Sequence, residues 1–254
     1  VKTFEPASAS GRHVLVVAPH PDDEAIGPGG SVFLLGAAGA HVTVVVLADG
    51  SGGVGGGASA EERRAECEAS CQQLGVASLV QAGLPSAQLR EDPRIGAEAL
   101  AHSVGLETQD LLLVPWPLER HPTHRASLLA ALLSGTAKRD ARWLGYGAWD
   151  AVSAMEQVIE VDTTAARKAK SRAIGCHVSQ NTARPLSAAI LCRDMAQAAF
   201  SRITGDEPRR AVERLLDLGD LPARVSAVPH EEAPEVIGDW TAALLADHAR
   251  QLWA

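Results

Sequence analysis

Apolar residues fall along this chain in two kinds of block. Residues 13–18 (HVLVVA), 41–49 (HVTVVVLAD) and 111–117 (LLLVPWP) are almost uninterrupted apolar runs. Such runs mark strands covered on both faces, as in a parallel sheet. Between them, helical spacing predicts helices over residues 31–40, 59–74 and 95–104, and another entered through HPTH with its apolar body at 128–133. A short strand is expected at 78–82, followed by Gly-Leu-Pro and a polar loop as far as Pro93. Two more strands, 142–150 and 156–162, precede a helix over 164–176 and the segment HVSQ. From about residue 182 the pattern is helical, with polar breaks at 205–208 and 219–222 and a last helix over 234–253. Alternating strands and helices predict an α/β, Rossmann-like three-layer fold with a mostly parallel sheet. Residues 1–181 would form its core, and 182–254 a helical C-terminal extension packed on the same domain. No internal repeat is present.

The first strand, helix and second strand make a βαβ unit, which brings the carboxyl ends of both strands side by side. Ligands of open α/β sheets bind at such ends. The first run stops at Pro19-His20-Pro21 and is followed by Asp22, Asp23 and Glu24. Three adjacent acids at the end of a core strand repel one another, and a neighbouring histidine makes a divalent metal the natural compensation. A second candidate element, His121 and His124, follows the 111–117 strand. At that spacing both rings point to one side of a first helical turn.

The glycine-rich stretch at residues 50–57 (GSGGVGGG) holds a formal GxGxxG match at Gly50, Gly52 and Gly55. The match follows the second strand rather than the first, and nothing fixes its third glycine at a helix start. It reads better as a lip beside a pocket, with a non-catalytic nucleotide-binding protein as the alternative it supports. Ser59 is placed to cap the next helix, Glu62 completing a capping box. Arg63, Arg64 and Glu66 then read as surface ion pairs.

Composition narrows the partners. The chain has 254 residues, 46% hydrophobic and 21% charged, enough for a proper core. A formal net charge of -8 without a basic stripe argues against nucleic acid and for a small molecule. No apolar run reaches the ~20 residues of a membrane span, and VKTFEPASASGR lacks a signal layout, so the expectation is a cytoplasmic protein. Four cysteines are too few for a disulfide scaffold. Cys67 and Cys71 share a helix face and read as small buried side chains. The tail is compatible with covering the sheet, shaping the pocket, or a subunit contact in a homo-oligomer.

PHPDDE at 19–24, LADG at 47–50, RRAE with a following LGV at 63–76, HPTH at 121–124 and HVSQ at 177–180 together resemble the LmbE-like or PIG-L-like zinc N-deacetylases, over roughly residues 12–181. The resemblance implies that residues 1–181 are an LmbE-like catalytic core. It implies metal ligands His20, Asp23 and His124, with zinc as cofactor or another divalent transition metal in the same N/O site. It implies Asp22 as general base, His121 as oxyanion stabiliser or proton donor, and Glu24 as a supporting residue. Two departures stand out: Thr123 where the family commonly has aspartate, and Ser86 where an aspartate contacts sugar hydroxyls. The expected activity is removal of an acyl group from an N-acetylglucosamine-like amino-sugar conjugate, with the departures favouring secondary metabolism. The alternative is amidase cleavage of a larger thiol or N-acyl conjugate.

Overall fold

The structure, a computed structural model, describes residues 2–51, 57–148, 157–183, 186–199 and 211–252. Within them an eight-stranded sheet runs in the order β1-β7-β8-β6-β5-β2-β3-β4. The strands are β1 (Lys2–Thr3), β2 (His13–Ala18), β3 (His41–Ala48), β4 (Ser78–Leu84), β5 (Gln109–Pro115), β6 (Ala137–Tyr146), β7 (Val158–Asp162) and β8 (Val212–Asp217). All neighbours pair in parallel except β8, which is antiparallel to β6 and to β7. The helices are α1 (Asp23–Ile26), α2 (Gly29–Ala37), α3 (Ala60–Leu74), α4 (Ser86–Glu91), α5 (Arg94–Val104), α6 (Pro122–Leu133), α7 (Arg167–Cys176), α8 (Val178–Ala183), α9 (Leu186–Ala199), α10 (Leu221–Ser226) and α11 (Ala233–Leu252).

The apolar run of β2 is explained by its burial on both sides. Val14, Val16 and Ala18 pack with α2, α3 and α7, while Leu15 and Val17 face the layer of α5, α6, α10 and α11. Successive side chains of a strand point to opposite faces, so a strand in the middle layer must be apolar throughout. Connections from β2 to β3 and β4 use the first layer; those from β4 to β5 and β6 use the second. The chain therefore switches faces between β2 and β5, which pair directly through Val16 and Leu113. A crevice opens at the carboxyl ends of two such strands, and ligands bind there.

Local chemistry accounts for several boundaries. Ser59 caps α3 by accepting from the Glu62 N–H, and the Glu62 carboxylate accepts from the Ser59 N–H, the reciprocal capping box. Gly75 closes α3 in the left-handed conformation at φ 68°. Pro122 occupies the first position of α6, where its missing N–H leaves no bond unmade.

Three expectations need correction. The stretch before Pro93 is no plain loop: Ser86–Glu91 forms α4, a turn and a half too short to show a periodic pattern. The strand expected at 142–150 lies earlier, at Ala137–Tyr146, because charged and exposed residues at its start mask an edge-like beginning. The tail is not wholly helical, since Val212–Asp217 enters the sheet between β6 and β7. The strand's sequence VERLLD suits either period, and pairing on both sides decided it. Residues 52–56 of the glycine-rich stretch, 149–150 and the break at 205–208 lie outside the described residues.

Candidate metal centre

The chain leaves β2 at Ala18 and turns sharply, so that His20 to Glu24 sit at the crevice mouth. Asp22 adopts φ 131° and ψ −26°, a conformation that L side chains rarely take. Such strain persists only where the surroundings enforce it, and it clusters at functional sites. Here the Asp22 N–H donates to Glu24 Oε2 at 2.9 Å, and buried Arg63 donates to the Pro21 carbonyl. The loop after β3 supports the turn from the other side. Gly50, at φ 71°, lies so close that an added Cβ would meet Pro21 Cδ at 2.8 Å. The LADG turn and the acidic turn are thus in contact, as the βαβ geometry requires.

From β5 the chain runs through Trp116 to α6, whose first turn carries His121 and His124. Their ring centroids are 4.9 Å apart, and they lie 5.0 and 5.3 Å respectively from the His20 ring. The two distant motifs meet. Asp23 Oδ2 is the hub: it accepts from the His20 N–H at 2.9 Å and lies 3.2 Å from His20 Nδ1 and 3.3 Å from His124 Nε2. Asp23 Oδ1 and both ring nitrogens of His124 are buried with no hydrogen-bond partner. Orphaned buried polar atoms carry a penalty of roughly 1–3 kcal/mol each unless something satisfies them. An imidazole-carboxylate set of this kind, with the orphaned His124 Nε2 beside Asp23 and His20, fits a divalent cation of the zinc type.

The electrostatics agree. Burial pulls the His124 ring down, yet Asp23 and Glu119 outweigh it and raise its pKa to about 10. Burial likewise opposes ionisation of Asp23, but His124 and His20 hold its carboxyl far below the usual range. This pocket is built to keep positive charge beside Asp23. Asp22 goes the other way: burial and the Asp23 charge push it up to about 6, with Arg63 opposing at 3.3 Å. His121, though exposed at one side, is drawn down to about 4 by partial desolvation and by the neighbouring histidines, so it is neutral at neutral pH.

All five expected site residues, His20, Asp22, Asp23, His121 and His124, fall in one cluster. Within the described residues, ligand atoms of His20, His121 and His124 lie within 4.8 Å of one another, so His121 stands nearer the ligand set than expected. Glu24, Cys67 and Cys71 form a second such group. Glu24 in that group is already engaged elsewhere: its carboxylate accepts from the Asp22 N–H and the Ser70 hydroxyl and lies 2.9 Å from His177 Nε2. The Cys67 thiol is pushed well above its ordinary value by Cys71, burial and Glu24.

Sequence reasoning missed four supports. Arg63 is buried against the acidic turn, and Glu66 accepts from the N–H and hydroxyl of Ser179, so neither makes the surface ion pair expected. His177 Nε2 sits 2.9 Å from Glu24 Oε1, both side chains fully buried. Glu119 lies behind His124. The signal for His177 was its place in HVSQ; for Glu119 nothing but its nearness to HPTH was available.

A family model described as PIG-L, GlcNAc-PI de-N-acetylase, matches residues 15–133. The diacetylchitobiose deacetylase of Thermococcus kodakarensis is 34% identical over 122 residues, a stretch covering 45% of this chain and 45% of that relative. The match thus spans less than half the length of the relative. Among solved structures, N,N'-diacetylchitobiose deacetylase from Pyrococcus horikoshii superposes with a TM-score of 0.62 at 23% identity, covering 81% of this chain and 84% of its own. The 4-carboxy-2-hydroxymuconate hydratase of Pseudomonas putida shares the fold as well, with a TM-score of 0.60 at 17% identity over 82% of this chain and 96% of that one. The fold alone therefore does not select a reaction. Residues 15–133, which hold both the acidic turn and the paired histidines, form a PIG-L family domain, and the chain is homologous over 122 residues to diacetylchitobiose deacetylase.

Proposed function

We propose that this chain is a divalent-metal-dependent N-deacetylase that hydrolyses the acetamide of N-acetylglucosamine-like amino sugars. The observation that carries the reading is the meeting of His20, Asp23 and His124, with partnerless buried ligand atoms, beside the strained Asp22. In this reading those three residues hold zinc or a related cation. When bound, such a cation polarises an amide carbonyl and acidifies water. Asp22 takes the proton of the attacking water and returns it to the leaving nitrogen. A carboxyl raised toward neutrality suits both halves of that task. Neutral His121 offers a ring N–H to the developing oxyanion, help that typically lowers a barrier by ~3 kcal/mol. Residues 1–181 carry this chemistry, and 182–254 brace it. The four free cysteines suit a reducing, cytoplasmic setting. No helix of the described residues is long and apolar enough to cross a membrane.

The test combines metal analysis with assay on N,N'-diacetylchitobiose. Expected are about one divalent metal per chain, loss of acetate release on chelation with recovery on adding zinc, and inactivity of His20→Ala. A metal-free protein, or a His20→Ala variant as active as the parent, overturns the reading. The grouping of His121 with the ligand pair favours one variant, in which His121 joins the coordination. His121→Ala then separates roles: an oxyanion donor leaves metal affinity intact and lowers kcat, whereas a ligand lowers both.

A further inference from the structure

The Thr123 departure removes a carboxylate expected next to the histidine pair, and the Thr123 hydroxyl is itself buried without a partner. A carboxylate is nevertheless present nearby. Glu119 is 2% exposed, its Oε1 accepts the Ala148 N–H at 2.7 Å, and its Oε2 stands 3.6 Å from His124 Nδ1. The other ring nitrogen, Nε2, faces Asp23 Oδ2 at 3.3 Å. Each nitrogen of the ring therefore points at a different carboxylate. An imidazole can ligate a cation only through a nitrogen free of its proton, and the opposite nitrogen then needs an acceptor for its N–H.

We propose that Glu119 is a positioning residue for His124, holding the tautomer with hydrogen on Nδ1 and leaving the Nε2 lone pair facing the centre. The inference rests on the metal-centre reading above. The backing group is fixed in place, since Glu119 is held by the Ala148 N–H and its own carbonyl accepts from Arg125 at 3.0 Å. A carboxylate behind a ligating histidine fixes ring orientation and raises ligand basicity, and its loss commonly weakens metal binding ~10–100-fold. His121, by contrast, is exposed and has no such backing among the described residues.

The experiment compares zinc affinity of the parent, Glu119→Gln and Glu119→Asp by competition with a chromophoric chelator, alongside melting of the metal-free proteins. The amide of Glu119→Gln keeps an acceptor for the Ala148 N–H but turns an NH2 donor toward Nδ1, reversing the sense of that contact. Expected are a ~10–100-fold weaker zinc Kd for Glu119→Gln, with metal-free melting near the parent's, and recovery of most affinity in Glu119→Asp. Nitrogen NMR of the zinc-loaded parent should report hydrogen on Nδ1 of His124. Parent-like zinc affinity in Glu119→Gln overturns the proposal, as does equal loss of affinity and melting in both variants, which marks a structural role. A parent that binds no zinc refutes the metal-centre reading itself, and that result is distinct from either.

Discussion

At the scale of single residues, the site divides its carboxylates by environment. Asp22 and Asp23 are neighbours in sequence and both buried, yet one is pushed up to about 6 and the other held far down. The difference lies in partners: Asp23 is in contact with two imidazoles, while Asp22 faces burial and the Asp23 charge, which Arg63 and, less, His177 and His20 offset only in part. Two titratable groups driven apart in this way are suited to separate duties, charge-holding and proton transfer. Asp22→Asn should lower kcat by about 100- to 10,000-fold while metal content and melting stay near the parent's. Retained deacetylase activity in that variant would remove Asp22 from the chemistry. The gathering of His20, Asp22, Asp23, His121 and His124 was readable from HPDD and HPTH, because such residue types at strand ends have few structural uses. The supports were not readable: Arg63 and Glu66 look like ordinary helix-surface charges, and only the packing of α3 on the acidic turn reveals what they bind.

At the scale of elements, the central strands β2, β3 and β5 were legible because burial on both faces imposes an apolar run that few other structures share. The start of the β2–β5–β6 ladder is held by a polar clasp away from the site. Lys138 Nζ lies 2.6 Å from Asp110 Oδ1, and the His13 N–H donates to Asp110 Oδ2 at 2.8 Å. The Lys138 bond first, and then the backbone bond, hold the Asp110 carboxyl below its ordinary value. A depressed carboxyl pKa contributes stability above the unfolded value near 4 and loses it as pH falls through the folded value. Because Lys138 is 40% exposed, screening limits the contribution to roughly 0.5 kcal/mol. Asp110→Asn should therefore narrow the gap to the parent below about pH 4 and open it above, in urea melts across pH. A constant gap from pH 3 to 7 would show that this clasp is energetically idle.

At the scale of the whole molecule, the C-terminal segment has a part that lies beyond the matched family stretch. Glu213 of β8 accepts the N–H groups of Gly30 and Ser31 and the Ser31 hydroxyl, capping α2 just behind the acidic turn. An added Cβ at Gly30 would lie 2.7 Å from Thr163 Cβ and 2.9 Å from Glu213 Oε1, so glycine is what allows both to approach. Lys170 joins the assembly, 2.6 Å from both Asp194 and Glu213, and donates to the Gly27 carbonyl. Arg193 of α9 ties the Ile26 carbonyl to those of Gly147 and Ala148. Lys170→Met takes the shared cation from two buried carboxylates that keep only their other donors, and a loss of about 3–5 kcal/mol in denaturant unfolding is expected. An unchanged midpoint would mean that the network relaxes without its cation. Sequence alone determined the alternation of strands and helices, the placement of the candidate site at strand carboxyl ends and the residue types gathered there, because these follow from local periodicity and from chemistry at strand ends. Tertiary structure alone decided that VERLLD is a strand, that Glu119 stands behind His124, and that Lys170 and Arg193 hold the end of α1 at Ile26 and Gly27. Each of those depends on partners from far along the chain, and no local pattern encodes what a side chain will meet once the layers close.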